Sequence, residues 1–599
     1  MTDLTSEGAA RPKDTSFFGH PKGLAVLFLT EMWERFSYYG MRGLLILYLT
    51  QHFLFSDEKS SIMYGAYTAL VYVMTIIGGT LADRYLGQRK AVTFGAILLC
   101  LGHFGMAFEG SGSKEYVVTS GAEIEIQHEG RGDDRQLFVE VDGEQRRVVF
   151  EQGTGDLQIL ATADRADEPT AAVYREFEKD AYSTRVEQQQ LYTNILYFSL
   201  ALIIAGVGYL KANISTIVGA LYEFDDPRRD SGFSLFYTGI NLGSLLSTLT
   251  CGWIGIAWGW KYGFGLAGIG MFLGLIVFLW GQKYLDGKAE SPNPELLKKS
   301  FLGPITVELA CYLAGILVIA VAMLIVMNSE IIPDWFVGSL GIAMFVGLVG
   351  YAFVNLQGGE RKRMFAAIYF VLAQIPFWAL FEQAGSSLTL FTDRLVDKEI
   401  LGWNVPTPVF QSLNAGYIVI FAPIFAWMWL ALSKRNLEPS TPVKFAIGVF
   451  FAGLGFLSLV AGIGMSGAGM TAVAFIFLIY WVHTMGELMV SPVGLSAVTK
   501  LAPARVVGMT MGAWFLYSGL SNYLAGVIAR TTGAETIGGQ ITDVAAAKAS
   551  YVAVYTQVAY VAMGIGVFML VISPVIKSWM KADHLPGEEN LNADAVGHN

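Results

Sequence analysis

The chain has 599 residues, of which 53% are hydrophobic and only 15% are charged, and its formal net charge is −10. Soluble domains carry about 25% charged residues, so this composition excludes an ordinary soluble protein and predicts a polytopic membrane protein. The three cysteines, Cys100, Cys251 and Cys311, all lie in apolar segments, so neither a disulfide framework nor a metal site is predicted.

The first apolar span, residues 24–51, carries four ionisable residues and a tyrosine on one helical face. Helical spacing brings these five together: Glu31, Glu34, Arg35, Tyr38 and Arg42. One charge at the centre of a membrane helix costs about 2.5 to 3.5 kcal/mol, so this face must point at water or at partner charges inside a bundle. The cluster therefore predicts a substrate or proton pathway. The alternative is a set of structural ion pairs that only fix helix packing.

Apolar runs predict fourteen membrane spans along the chain. They are 24–51, 60–82, 91–108, 190–222, 232–256, 262–284, 304–327, 335–356, 364–391, 408–433, 442–466, 471–499, 508–530 and 551–576. Lys and Arg gather in alternate connections, and the positive-inside rule then puts both termini in the cytoplasm.

Residues 109–187 form the one soluble segment, which this topology puts outside the membrane. They alternate apolar and polar residues and contain turn signals at Gly130-Arg-Gly-Asp and Asp142-Gly, which predicts a small β-rich insert. The segment has 19 acidic and nine basic residues, so it carries the whole net charge of the chain. A solvated appendage that can be removed is the simpler expectation, and an acidic patch that binds an unknown partner is the alternative.

The depth of each charge in its span predicts which charges can meet. Arg42 and Glu382 lie at matched heights towards the outer face, so they are expected to form a gating pair across the first and ninth spans. Glu34, Lys211 and Glu487 lie at matched heights towards the inner face, and Lys211 with Glu487 is expected to form a second gating pair. Buried ions of this kind persist only when they are paired or wetted.

Six motifs carry a family resemblance that covers the membrane portion. They are EMWERFSYYG at 31–40, GTLADRYLGQR at 79–89, FYTGINLG at 236–243, FEQAG at 381–385, QSLN at 411–414 and GELMVSP at 486–492. Together, in this order, they resemble the proton-dependent oligopeptide transporter (POT) family of the major facilitator superfamily, in its bacterial form.

The resemblance implies an all-α major facilitator fold with two six-helix bundles, two extra linker helices and the β-rich insert. The implied organisation is a cytoplasmic N-terminus at 1–23, an N-terminal bundle at 24–256 interrupted by the acidic periplasmic insert at 109–187, a sixth helix at 262–284, a linker with two extra helices at 285–363, a C-terminal six-helix bundle at 364–576 and a cytoplasmic tail at 577–599. Parallel repeats of this kind have their binding site near the bilayer midplane between the halves.

The resemblance also implies a secondary active transporter, not an enzyme. The expected activity is proton-coupled symport of di- and tripeptides by alternating access across the bacterial inner membrane. No cofactor, metal or nucleic acid is expected, and the protein is expected to be a monomer in membrane lipid. The residues expected to couple protons are Glu31, Glu34, Arg35, Lys211, Glu382 and Glu487.

A peptide always offers an ammonium and a carboxylate, so a carrier for many peptides needs fixed opposite charges. Glu487 suits the ammonium, and Arg35, Lys211 and Arg42 suit the carboxylate. The residues expected to bind peptide are Tyr38, Tyr39, Arg42, Tyr72, Lys211, Asn241, Asn414, Glu487 and Ser491. For the tyrosines, and for Tyr237, ordinary packing is the alternative.

The sequence departs from the family pattern at two points, and two alternative functions remain open. Ala212 follows Lys211 where the family usually has proline, which leaves the local helix geometry undecided. The acidic insert is not a common feature of compact bacterial members.

A membrane enzyme is one alternative function, although no HExxH, GxSxG or phosphate-binding motif is present. The other alternative function is proton-coupled uptake of another zwitterion, of nitrate or of a peptide-like metabolite.

Overall fold

A computed structural model describes residues 14–161, 172–223, 226, 228–332 and 334–581. Each of the fourteen predicted spans coincides with a long helix in these ranges. The helices are α1 (Lys22–Gln51), α2 (Asp57–Leu81), α3 (Gln88–Met106), α4 (Gln190–Ala220), α5 (Arg229–Ser247), α6 (Trp260–Gly281), α7 (Val307–Met327), α8 (Asp334–Asn355), α9 (Gly358–Phe381), α10 (Ser412–Ser433), α11 (Thr441–Ser466), α12 (Ala474–Leu501), α13 (Val507–Thr531) and α14 (Val544–Met580).

Eleven helices in the described ranges are long and apolar enough to cross a membrane by length and composition alone. The helix α1 falls outside this set because of its charged face. The hydrophobic residues of α1 are nevertheless buried in the bundle core. Composition therefore understates the number of spans where a helix hides its charges inside the protein.

Two separate hydrophobic cores organise the helices into two bundles. One core joins α1 to α6, and the other joins α9 to α14. The linker helices α7 and α8 connect them. The Tyr209 hydroxyl of α4 donates to the Cys311 carbonyl of α7 at 3.0 Å, and the Tyr517 hydroxyl of α13 donates to the Gly341 carbonyl of α8 at 2.7 Å. This is the predicted major facilitator arrangement with an extra linker hairpin.

Interruptions in α9 bring polar groups to the middle of the molecule. This helix contains Pro376, gives way to a 3-10 turn at Glu382–Gly385 and resumes as a helix over Ser387–Leu395. A Cβ atom at Gly385 would lie 1.8 Å from the Tyr64 hydroxyl, so only glycine permits this approach of α2. In contrast, α4 is a continuous helix through Lys211 and Ala212, the residue that stands where the family usually has proline.

The predicted β-rich insert is a seven-stranded antiparallel sheet with the strand order β6-β5-β4-β3-β2-β1-β7. Its strands are β1 (Lys114–Thr119), β2 (Glu123–Glu129), β3 (Gln136–Val141), β4 (Glu144–Phe150), β5 (Leu157–Leu160), β6 (Val173–Phe177) and β7 (Tyr182–Glu187). The predicted turn at Asp142-Gly143 joins β3 to β4. Both residues have positive φ there, as a tight hairpin turn requires.

The expectation that the insert is a freely solvated appendage is wrong. The Arg135 guanidinium donates to the Gln51 carbonyl of α1 at 2.9 Å and to the Gly538 carbonyl between α13 and α14 at 2.9 Å. The insert therefore contacts both bundles. The end of the molecule that carries it is called the insert end below.

The two bundles meet closely at the insert end. Asp57 of α2 accepts two hydrogen bonds from Arg394, at 2.6 and 2.9 Å, and the Gln51 amide donates to Asp393 at 2.8 Å. A Cβ atom on Gly65 of α2 would lie 2.8 Å from the Cα atom of Gly526 in α13. Small residues allow such close helix approach in membranes, so this glycine pair lets the insert end close.

We therefore expect Gly65→Ala to weaken closure of the insert end. The added methyl group must push the α13 backbone away, and overpacking of this kind costs about 1 to 3 kcal/mol, so transport should fall roughly tenfold. Substrate uptake into proteoliposomes measures the effect. Gly338→Ala is the matched control because its Cβ atom would meet nothing within 4 Å. Equal uptake by the two variants would contradict the role of the glycine contact.

Candidate functional site

A cavity of about 180 Å³ lies between the two bundles, beneath the closed insert end. Both bundles contribute to its walls. Its aromatic lining comes from Tyr39, Tyr72, Tyr237, Trp378, Phe381 and Tyr480. Its charged and amide lining comes from Arg42, Asn241, Glu382, Gln411, Asn414 and Glu487. An enclosed wall that combines aromatic side chains with converging polar groups is typical of a small-molecule site.

The carboxylate of Glu487 is held in place by neutral groups of the C-terminal bundle. It accepts a hydrogen bond of 2.7 Å from the Asn414 amide of α10. The same amide donates to the Thr484 hydroxyl at 3.1 Å, one turn before Glu487 on α12. Both amide protons of Asn414 are thereby used, and this orients the carboxylate towards the cavity.

The guanidinium of Arg42 connects the two bundles beside the cavity. It forms an ion pair with Glu382, which lies at the break in α9. Its Nε atom donates to the Tyr64 hydroxyl of α2 at 2.6 Å. The structure thus brings together Arg42 and Glu382, the two charges that the sequence places at matched depths in their helices. Their role as a gate stays a prediction.

The charged face of α1 continues below Arg42 as a compact ionic cluster. Arg35 contacts Glu34 and lies 3.1 Å from Glu31, and all three side chains are buried. In the part of the chain that the structure describes, Glu31 Oε2, Glu34 Oε1 and Arg35 Nη2 have no hydrogen-bond partner. A buried polar atom without a partner is costly, so these oxygens are places where a proton or water would be held favourably.

Lys211 is not brought to Glu487. Its ammonium lies 4.3 Å from the centre of the Tyr72 ring, which is a cation–π contact. Among the described ion pairs, none within 4 Å joins Lys211 to a carboxylate. The predicted second gating pair is therefore not formed in this structure, and its role stays a prediction.

Six of the nine residues predicted to bind peptide line the cavity: Tyr39, Arg42, Tyr72, Asn241, Asn414 and Glu487. Tyr38, Lys211 and Ser491 do not. The Tyr38 ring packs instead in the core of the N-terminal bundle, 5.3 Å from the Arg35 guanidinium. Asn241 lies in the lining, but its amide donates to the Tyr237 carbonyl one turn earlier on α5.

Sequence reasoning missed four aromatic residues of this site: Tyr64, Trp378, Phe381 and Tyr480. Tyr64 contacts Arg42, and the other three line the cavity. Trp378 lies one turn before Glu382 and could have been found from that spacing. Tyr480 lies two turns before Glu487 on the same face, whereas nothing in its sequence context distinguishes Tyr64.

A sequence model of the POT family matches residues 89–544. The chain belongs to the POT family. Its members are secondary transporters rather than enzymes, and the many apolar helices agree with a multi-pass membrane protein.

Relatives extend over nearly the whole chain. The "Uncharacterized transporter YclF" of Bacillus subtilis (strain 168) is 34% identical over 94% of this chain and 96% of its own length. The "Peptide transporter YePEPT" of Yersinia enterocolitica subsp. palearctica is 31% identical over 86% of this chain and 89% of its own. A crystal structure of a mutant peptide transporter POT in complex with alafosfalin has a TM-score of 0.70 at 32% identity, covering 94% of this chain and 97% of that one.

The pairing of Arg42 with Glu382 makes a testable prediction. Reversing either charge alone should strongly impair transport, because the other charge is then left buried and opposed by a like charge. Reversing both, with Arg42→Glu and Glu382→Arg, should recover more uptake than either single change. Uptake measured over the full double-mutant cycle tests this, and purely additive losses would argue against the pair.

The contact between Asn414 and Glu487 makes a second testable prediction. Asn414→Leu keeps a similar volume but removes the donor that orients the carboxylate, so the KM of the substrate should rise by roughly tenfold, as for a lost hydrogen bond to a charged group. Concentration-dependent uptake is the measurement. Asn355→Leu is the matched control, because Asn355 is an exposed residue of the linker helix α8 whose amide donates to the Tyr351 carbonyl of its own helix at 3.4 Å, and this variant should keep the original KM.

Proposed function

We propose that this chain imports di- and tripeptides by proton-coupled symport, using alternating access across a bacterial inner membrane with both termini in the cytoplasm. One observation carries the proposal. A cavity between the two bundles presents a carboxylate, Glu487, on one bundle and a guanidinium, Arg42, on the other. Relatives named as peptide transporters, and a family member solved with a thioalcohol conjugated peptide, support the same substrate class.

The cavity suits the constant part of a short peptide. The ammonium of the substrate pairs with Glu487, whose carboxylate accepts a hydrogen bond from the neutral Asn414 amide in the described structure. The substrate carboxylate pairs with cations of the N-terminal bundle, namely Arg42 or Lys211. Variable side chains pack against Tyr39, Tyr72 and the other aromatic walls, which accept many shapes because their contacts are mostly non-directional.

Proton coupling follows from competition for the same cations. A proton on Glu382 neutralises it and weakens its hold on Arg42, which then becomes available to a substrate carboxylate. A proton on Glu31 or Glu34 similarly weakens the hold on Arg35. The substrate and the proton thus promote each other's binding, and thermodynamic linkage makes this effect equal in both directions.

Alternating access then consists of rocking the two bundles about the cavity. In the described structure the contacts that close the insert end include three side-chain pairs between the bundles: Arg42 with Glu382, Asp57 with Arg394, and Gln51 with Asp393. Breaking these contacts opens the cavity towards the insert. Proton binding at Glu382 removes one of the three, so a proton on that side favours opening there.

Uptake into proteoliposomes tests the substrate and the coupling together. A pH gradient should drive accumulation of an alanine dipeptide, and unlabelled tripeptide should compete with it. Recovered label should be chemically intact, which separates a carrier from a membrane enzyme. A second substrate class has support from a 26% identical family member solved with 5-aminolevulinic acid, so this zwitterion is included as a competitor. Accumulation of it without any peptide uptake would overturn the peptide proposal.

We expect Glu34→Gln to abolish uphill uptake while leaving counterflow. Exchange requires binding and rocking but no net movement of protons, whereas accumulation requires a group that changes its protonation. The comparison of gradient-driven uptake with counterflow in one preparation measures this.

The matched control is Glu295→Gln. Glu295 is an exposed carboxylate in the connection between α6 and α7, where it pairs with Lys298 at 2.9 Å. The same loss of one negative charge there should leave both activities unchanged. Accumulation at the original rate by Glu34→Gln would show that this carboxylate does not couple protons.

A further inference from the structure

The insert belongs mechanically to the N-terminal bundle. It begins and ends on α3 and α4, and short connections hold it there. The Ser113 amide donates to the His52 carbonyl at 3.0 Å, and the His52 ring contacts the Glu109 carbonyl at 2.8 Å. The Gln188 side chain donates to the Phe53 carbonyl at 2.9 Å. These bonds to the end of α1 mean that the sheet moves with this bundle.

The same sheet is docked on the C-terminal bundle, at the hairpin formed by Thr536–Ile537 and Gln540–Ile541. The Arg135 guanidinium donates to the Gly538 carbonyl at 2.9 Å, and the Arg135 carbonyl accepts from the Gln540 amide at 2.5 Å. The Gly538 N–H donates to the Glu115 carboxylate at 2.5 Å. Burial raises the pKa of the Glu115 carboxyl, so this N–H stabilises a carboxylate that burial disfavours.

Apolar packing seals this contact. Ile537 is 2% exposed and is part of the same hydrophobic cluster as the core of the sheet. A Cβ atom at Gly538 would lie 2.4 Å from a methyl group of Leu137, and φ is +58° there, so the position requires glycine on both counts. The hairpin is therefore shaped to receive the insert.

Ionic contacts extend the interface on both sides of the hairpin. Asp133 of the insert pairs with Lys398, between α9 and α10, at 2.5 Å. Lys179 pairs with Glu535 at 2.7 Å, and the Gln152 side chain accepts from the Val544 amide, at the start of α14, at 3.0 Å. The insert thus contacts two separate connections of the C-terminal bundle, the one between α9 and α10 and the one that leads from α13 into α14.

We infer that the insert is a clamp that holds the two bundles together at the insert end and must undock from the hairpin at 536–541 whenever the cavity opens there. The inference rests on the proposed alternating access. Because the sheet is fixed to one bundle and docked on the other, the bundles cannot separate at this end while the docking contacts remain. The clamp therefore biases the transporter towards the state that is closed at the insert end.

A reversible cross-link tests the undocking step. Lys179→Cys and Glu535→Cys are combined in a chain whose Cys100, Cys251 and Cys311 are replaced by alanine, and a short thiol-reactive cross-linker joins the new thiols. Peptide uptake should fall to the level of empty liposomes and return when the cross-link is reduced. Full uptake with the cross-link complete would overturn the clamp.

The matched control cross-links two strands within the insert, using Gln158→Cys and Glu176→Cys. These residues are paired across β5 and β6, and their side chains are 2.7 Å apart. The same chemistry there leaves the docking interface untouched, so uptake should not change. Equal inhibition by both cross-links would also overturn the clamp, since rigidifying the sheet alone would then suffice.

A distance measurement tests the clamp without relying on transport. Spin labels are attached at Glu58→Cys on α2 and at Glu399→Cys after α9, both exposed positions at the insert end. Arg135→Ala should increase the population with long separations roughly twofold or more, because the closed state loses its docking bonds. Arg175→Ala, on the exposed strand β6, is the control and should not.

Superimposable distance distributions for the two arginine variants and the original chain would overturn the clamp. The two experiments also separate its failure from that of the proposed function. If the reduced, uncross-linked protein takes up no peptide, the proposed substrate is wrong, and the distance distributions still decide whether the insert holds the bundles together.

Discussion

A charge inside a membrane protein must be paired, and this constraint determines how the two bundles can be arranged. Burying an ion without a partner costs several kcal/mol, and both arginines of α1 lie against a carboxylate. Arg35 finds its carboxylates on its own helix, at Glu31 and Glu34, whereas Arg42 finds Glu382 on the other bundle. The first arrangement is independent of how the bundles are placed, but the second exists only while the insert end is closed.

Two further charges, one in the cavity wall and one outside its lining, are not balanced in the same way. Glu487 is held by an amide and Lys211 by an aromatic ring, so in the described structure neither charge is neutralised by a direct ion pair. A zwitterionic ligand can supply both missing counter-charges at once, whereas a simple anion would be repelled by Glu487. This arrangement agrees with the zwitterionic substrate that we propose.

The sequence predicts the helices well because the membrane imposes length and hydropathy on every span, and each of the fourteen apolar runs is a helix. It also predicts that Arg42 and Glu382 meet, since residue counts give the depth of a group. Depth alone does not give the direction in which a side chain points around the bundle axis. This explains why Lys211 and Glu487, at matched depths, are not joined by an ion pair.

The insert shows a different limit of sequence reasoning. Alternation and turn residues predict its strands, because these signals are local. Its docking depends on contacts such as that of Arg135 with Gly538, which are remote in sequence and produce no periodic pattern. The large acidic excess suggested a solvated surface, yet the residues at the interface include Arg135 and the well-packed Leu137.

Under the proposed alternating access, closure at the insert end has two layers that open together. The inner layer consists of buried pairs between the bundles, such as Asp57 with Arg394, and the outer layer is the docked sheet. Since the sheet is fixed to one bundle, rotation of the bundles must break both layers in the same step, and their free energies add in the barrier to opening. Only the inner layer contains a carboxylate, Glu382, that lines the cavity. In the mechanism that we propose, protons and ligand act directly on the inner layer alone, while the insert sets how much of their binding free energy is needed to open that end.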